Sequence, residues 1–155
     1  MTKVSHRKAI ELPYYSRNST SPISQKKEIL YEPRILVDVG YNGKFFRVLC
    51  KQARPTLLGF IDSGSDHTLA DYDVGKAIGV PFRKTKSFPI GGISGNKIDA
   101  YFASVHLVVE GRTYPTHVGF VKNFATDVLL GGIGFFDHWK VRFEYPKCIE
   151  LEWIH

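Results

Sequence analysis

Lys97 to Val109 is the longest stretch of strand-forming sequence in the chain, and it turns at Glu110-Gly111 directly into a partner from Thr113 to Val121. β-Branched and aromatic side chains recur along both arms, and these suit a pleated, half-buried surface. A hairpin is marginal alone and needs further strands to cover it. The chain supplies them. Ile35, Val37 and Val39 alternate with Leu36, Asp38 and Gly40, as in a strand with a buried face. Asn42-Gly43 readily takes positive φ at both turn positions, so Phe45 to Leu49 is expected to run back as a second strand. After a break at Arg54-Pro55, Leu57 to Ile61 reads as a third strand. Val128 to Leu130 is a short apolar strand ended by Gly131-Gly132, and Val141 to Tyr145 and Cys148 to Trp153 flank Pro146-Lys147. Helix is expected only over Ala70 to Ile78, closed by Gly79 and Pro81, and as one or two turns between Gly134 and Trp139. The pattern predicts a mostly β, barrel-like domain with one or two short helices.

With 155 residues the chain has room for one sizeable core and hardly two. A hydrophobic content of 43% excludes a disordered protein. The formal net charge of +6 permits an anionic partner without demanding one. Much of it gathers early, in Lys3, Arg7, Lys8, Arg17, Lys26 and Lys27. Residues 1–30 are rich in Ser, Lys, Arg, Thr and Pro and show no sustained period, so they read as a basic flexible extension ahead of a domain spanning 31–155. The aromatic residues alternate with apolar ones on expected strands instead of forming a basic stripe, so nucleic acid is not an expected partner.

Two cysteines, Cys50 and Cys148, make neither a disulfide framework nor a metal-ligand set, and read as half-buried strand residues in a reducing compartment. His6, His106, His117, His138 and His155 have no ligand-like spacing, so neither metal nor cofactor is expected. The polar N-terminus carries no apolar signal core, and no apolar run approaches bilayer length. A soluble, intracellular protein without a membrane partner is expected, with the cytoplasm its compartment.

The chemistry concentrates at Leu58-Gly59-Phe60-Ile61-Asp62-Ser63-Gly64-Ser65-Asp66-His67-Thr68-Leu69. An apolar strand delivers an aspartate to a turn of small residues. Gly64 permits a tight turn and the close approach of another chain. The apolar strand places the Asp62 carboxylate in drier surroundings than a surface loop offers. Asp, Ser and Gly are also ordinary turn formers, so the tripeptide gains its weight from its context.

That context resembles the active-site signature of retropepsins and their cellular single-domain relatives, in which apolar residues precede Asp-Thr/Ser-Gly-Ala/Ser and a Thr follows soon after. Two further blocks match in order. Pro89-Ile90-Gly91-Gly92-Ile93-Ser94-Gly95 looks like the tip of the family's flap, and Asp127-Val128-Leu129-Leu130-Gly131 looks like the block that supports the catalytic turn, followed by a short helix at Phe135 to Trp139. The closing strands Val141-Arg142-Phe143-Glu144-Tyr145 and Ile149-Glu150-Leu151 are also similar, so the resemblance covers about Arg34 to Trp153.

The resemblance implies a closed retropepsin-like, acid-protease β-barrel with one lobe per chain. It further implies an aspartic endopeptidase acting on a protein or peptide in extended conformation. Catalytic roles fall to Asp62, Ser63 and Gly64, and substrate binding to Ser65, Asp66, Ile90, Gly91, Gly92, Ile93, Ser94 and Gly95. Only one such turn is present, because Asp38, Asp71, Asp73, Asp99, Asp127 and Asp137 lack a following Ser/Thr-Gly. The second carboxylate must then come from a second copy, so a homodimer is expected. One departure stands out. Gly132 occupies the position where retropepsins often place an Arg that pairs with the acid after the catalytic turn, leaving Asp66 to find Arg142, a backbone amide or water. The alternative is a catalytically inactive retropepsin-like binding or assembly module.

Overall fold

A computed structural model describes residues 8–49, 56–92 and 94–155. Lys3, Arg7, Cys50, the Arg54-Pro55 break and Ile93 lie outside them. In chain order the strands are β1 (Ile10–Leu12), β2 (Tyr15–Thr20), β3 (Lys27–Glu32), β4 (Arg34–Tyr41) and β5 (Lys44–Phe45). A single helical turn, α1 (Phe46–Leu49), comes next. Then follow β6 (Leu57–Ile61), β7 (Leu69–Asp71), α2 (Tyr72–Ile78), β8 (Ser87–Gly91), β9 (Lys97–Val109) and β10 (Arg112–Val121). β11 (Val128–Leu130), β12 (Trp139–Glu144) and β13 (Cys148–Trp153) complete the chain.

β4 closes the barrel because it serves two neighbours. Its first half pairs with β6, from Arg34↔Phe60 to Val37↔Leu57, and its second half pairs with β9, from Val37↔Val109 to Gly40↔His106. The ring β4-β6-β11-β7-β10-β9 then returns to β4 as a closed six-stranded barrel. Two of its pairings, β6 with β11 and β7 with β10, are parallel. Val37, Val39, Leu107, Val109, Phe120 and Leu130 fill the interior, with Ile78 of α2 and Phe135 and Trp139 closing one side. The alternation along β4 that the sequence displays is thus the alternation between this core and the outside.

Local chemistry sets the element ends. Asn42 and Gly43 take φ of +47° and +76°, as their hairpin turn requires. The expected return strand stops at Phe45, because the Asp38 carboxylate accepts from the Arg47 amide at 3.2 Å and draws the backbone into α1. α2 begins two residues later than the sequence predicts, since Ala70 and Asp71 belong to β7 and Asp71 caps the helix by accepting from the Asp73 amide at 2.8 Å. The expected helix at Phe135 to Trp139 is one irregular turn, in which Phe135 carbonyl accepts from both the His138 and Trp139 amides at 3.0 and 2.9 Å.

Residues 8–30 depart from the flexible reading. β1 adds to β13 in an antiparallel β1-β13-β12 sheet, and Ile10 and Leu12 pack on the main core. Three residues are too few to show a period, so their value emerges only against the edge of β13. β2 and β3 form a separate hairpin. Glu32 ties it to the barrel, accepting from Arg34 and from Arg17 at 2.6 Å each, and these two cations hold the Glu32 carboxyl below its usual range. Tyr145 meets the ring edges of Tyr14 and Tyr31, with centroids 5.5 and 5.9 Å away. Cys148 is a free, buried strand residue. No helix among the described residues is long and apolar enough to cross a membrane.

Asp38 offers a test of this packing. Burial raises its carboxyl above the usual aspartate range, against the opposing amides of Arg47 and Val39. The folded chain therefore holds that proton more tightly than the unfolded one, and the associated stability, complete at low pH, is lost as pH rises through the folded value. Asp38→Asn keeps an acceptor oxygen without a charge. Chemical denaturation should show the variant more stable than the parent at pH 7, with the gap closing toward pH 4.

Candidate active site

Asp62 is the first residue beyond β6, and its amide donates to Leu130 carbonyl at 3.0 Å, extending the parallel pairing with β11 by one step. The chain then turns on the aspartate itself. The Gly64 amide donates to Asp62 Oδ1 at 2.9 Å, and the Ser65 amide to the Asp62 carbonyl at 3.2 Å. Among the described residues no hydrogen bond reaches Oδ2, so one carboxylate oxygen is pinned and the other is available. Asp62 is half-buried, while Ser63 and Gly64 are exposed.

The path back into the barrel is locked from beneath by Gly131-Gly132-Ile133. The Gly132 amide donates to Ser65 carbonyl and the Ile133 amide to Asp66 carbonyl, both at 2.8 Å. Thr68, fully buried, completes the lock: its amide donates to Ile133 carbonyl at 2.8 Å and its Oγ1 accepts from the Gly131 amide at 3.2 Å. Ser65 Oγ donates to His67 carbonyl at 2.8 Å. A Cβ at position 131 would sit 2.3 Å from His67 carbonyl oxygen and 2.7 Å from that of Ser65, so only glycine fits. A Cβ at 132 would lie 3.0 Å from Asp66 carbonyl oxygen. A side chain at 132 would need the Asp66 backbone to give by only a few tenths of an ångström, unlike one at 131.

Asp66 is exposed and its carboxylate has no partner among the described residues. Arg142, offered as that partner by the sequence, pairs instead with Glu150 at 3.5 Å across β12 and β13. The backbone amide option is also unused.

The second element is the β8–β9 hairpin, in register from Ser87↔Tyr101 to Gly91↔Lys97. The Gly92 amide donates to Asn96 carbonyl and the Gly95 amide to Gly92 carbonyl, both at 3.0 Å, with Gly95 at φ +75°. Gly91, Gly92, Ser94 and Gly95 are exposed. Ile90 packs on a small apolar cluster of Leu69, Ala100 and Val121, apart from the main core. That cluster roots the hairpin beside the aspartate turn.

A cleft of about 310 Å³ lies between them, lined by Gly64, Ser65, Asp66, His67 and Leu69 and by Pro89, Ile90 and Gly91. It joins five of the expected site residues, Gly64, Ser65, Asp66, Ile90 and Gly91. Asp62, Ser63, Gly92, Ser94 and Gly95 are outside its lining. His67, Leu69 and Pro89 were not assigned to the site from sequence, and their only signal was adjacency to its motifs. The His67 ring stands on Phe102, centroids 5.0 Å apart, as suits the flank of a loop. Glu144, Cys148 and Glu150 bring ligand atoms within 4.8 Å of one another on the C-terminal sheet, but Lys147 and Arg142 already face these carboxylates.

No family model and no curated protein matches the sequence. Solved structures do match in shape. A retropepsin-like aspartic protease from Rickettsia conorii aligns over 94% of this chain and 96% of its own, with a TM-score of 0.51 and 12% identity. The retroviral protease-like domain of Ddi1 from Leishmania major aligns over 78% of this chain and 94% of its own, with a TM-score of 0.50 and 12% identity. The closed six-stranded barrel with its aspartate turn on the β6 and β11 ends therefore has the retropepsin-like fold.

Proposed function

We propose that the chain is an aspartic endopeptidase whose site forms from two copies, each contributing Asp62. The observation that carries this reading is the pinned carboxylate. Asp62 Oδ1 is held by the Gly64 amide at the end of a rigid strand, and the turn is backed by Gly131-Gly132-Ile133. A lone carboxylate cannot at once take a proton from water and give one to a carbonyl oxygen. A two-fold axis between two Asp62 side chains supplies both functions.

Facing each other across that axis, the two carboxylates share one proton. The ionised one draws a proton from the attacking water while the protonated one donates to the peptide carbonyl oxygen. Ser63 braces the opposite turn, and Gly64 leaves room for the substrate backbone. The substrate lies as a strand along the cleft, with main-chain hydrogen bonds for affinity and side-chain pockets for selectivity. Exposed Gly91, Gly92, Ser94 and Gly95 of the hairpin close over it as a flap. Residues 31–155 make the catalytic lobe.

A second reading, a peptide-binding or assembly module without turnover, is favoured by Gly132. It removes the cation that would brace Asp66 and the contacts around it.

Asp62→Asn should lower cleavage of a peptide library by at least about a hundredfold, with circular dichroism and sedimentation unchanged. Cleavage that persists in this variant sinks the assignment. Activity per chain should also fall on dilution as the dimer dissociates. Gly131→Ala, which touches no substrate group, should destabilise the chain by more than about 1 kcal/mol in urea titration and abolish cleavage by displacing the turn.

A further inference from the structure

The cleft is not chemically neutral. One of its walls carries Asp66, whose carboxylate is exposed and has no partner among the described residues. The reason is local. Gly132 lies under the turn with no side chain to offer, and Arg142 is engaged by Glu150. The backbone that carries Asp66 is fixed, because the Asp66 carbonyl accepts from the Ile133 amide at 2.8 Å and the Ser65 carbonyl from the Gly132 amide at 2.8 Å. An acid is thus held on a rigid backbone, at the rim of a cavity large enough for a long side chain, with a hairpin wall opposite.

We infer that Asp66 is a specificity-determining residue, and that the cleft takes a basic side chain, Lys or Arg, of an extended peptide. The inference rests on the reading of this cleft as the peptide-binding site. The aliphatic stem of such a side chain lies against Leu69 and Ile90, and its cationic head reaches the Asp66 carboxylate. The overall charge of +6 does not oppose this. Fields from distant charges fade beyond about 8 Å at physiological salt, so the local acid decides. Because the pair keeps some contact with water, its effect is a preference and not an absolute requirement.

The test compares fluorogenic extended peptides that carry Lys, norleucine or Glu at each position in turn, on the parent chain, Asp66→Asn and Asp66→Glu. The parent should prefer Lys over norleucine by about five- to tenfold in kcat/KM at one position. Asp66→Asn should bring that ratio to about one, and Asp66→Glu should restore it. A ratio is read, so a general loss of rate in a variant does not obscure the result. The same peptides, arrayed for binding to Asp62→Asn protein, keep the inference separate from catalysis. Lysine-selective binding without cleavage in the parent supports Asp66 and overturns the peptidase reading. Cleavage with no preference for a basic residue at any position overturns Asp66 alone, and so does a preference that survives Asp66→Asn. Dissociation of the Asp66→Asn dimer with its preference intact also overturns the inference, making Asp66 a contact between copies. Neither binding nor cleavage overturns both.

Discussion

The backbone contact between Ser65-Asp66 and Gly132-Ile133 is the constraint on which the rest of the site depends. Two amides donate upward into the aspartate turn at 2.8 Å each, and Thr68 closes the arrangement from the buried side. Thr68 and Gly131 are buried, and leaving a partner of their bond unsatisfied costs about 1–3 kcal/mol, so the turn has few alternative conformations at comparable energy. Its rigidity is what aims Asp62. The contact needs the two segments at a separation that only glycine at 131 allows, since a Cβ there would penetrate His67 and Ser65 carbonyl groups.

This contact is possible because the barrel closes. Parallel pairing of β11 with β6 brings Leu130 beside Ile61, and antiparallel pairing with β7 brings Leu129 beside Leu69. β11 therefore lies between the strand that enters the turn and the strand that leaves it. Its exit at Gly131 has nowhere to go except under the turn. The same closure positions the hairpin, because β9 runs from the barrel wall, where it pairs β4 and β10, out into its pairing with β8. Leu69, Ala100, Val121 and Ile90 form the apolar hinge between turn and hairpin. The hairpin is thus anchored at its root, next to the aspartate turn.

The N-terminal segment is held by a different kind of force. Glu32 bridges Arg34 and Arg17, and Arg34 also donates to Thr126 Oγ1 at 3.1 Å and lies over the Phe60 ring. Partly exposed pairs of this sort are individually weak, but shared geometry around one carboxylate makes them a network. Pro33 carbonyl accepts from the Ile61 amide at 2.8 Å, one residue before Asp62. The β2–β3 hairpin therefore springs from the barrel beside the aspartate turn.

The bounds of β6, β9, β11 and β13 were legible in the sequence, because apolar or β-branched runs with Gly, Asp, Asn or Pro near at least one end need no partner to be recognised. So were the aspartate turn and the glycine hairpin, whose residue types suit few other conformations. What the linear pattern could not display were effects of one segment on another. β1 has meaning only against β13, α1 depends on the Asp38 carboxylate reaching Arg47, and the helix expected after Gly134 yields to backbone bonds with Gly131 and Gly132. Asp66 is the sharpest case. Sequence by itself determined that an acid follows the turn and that no Arg stands at 132. Only the tertiary structure decided that Arg142 is occupied elsewhere and that the acid faces a cleft, because pairing and exposure belong to the packed chain and not to its order of residues.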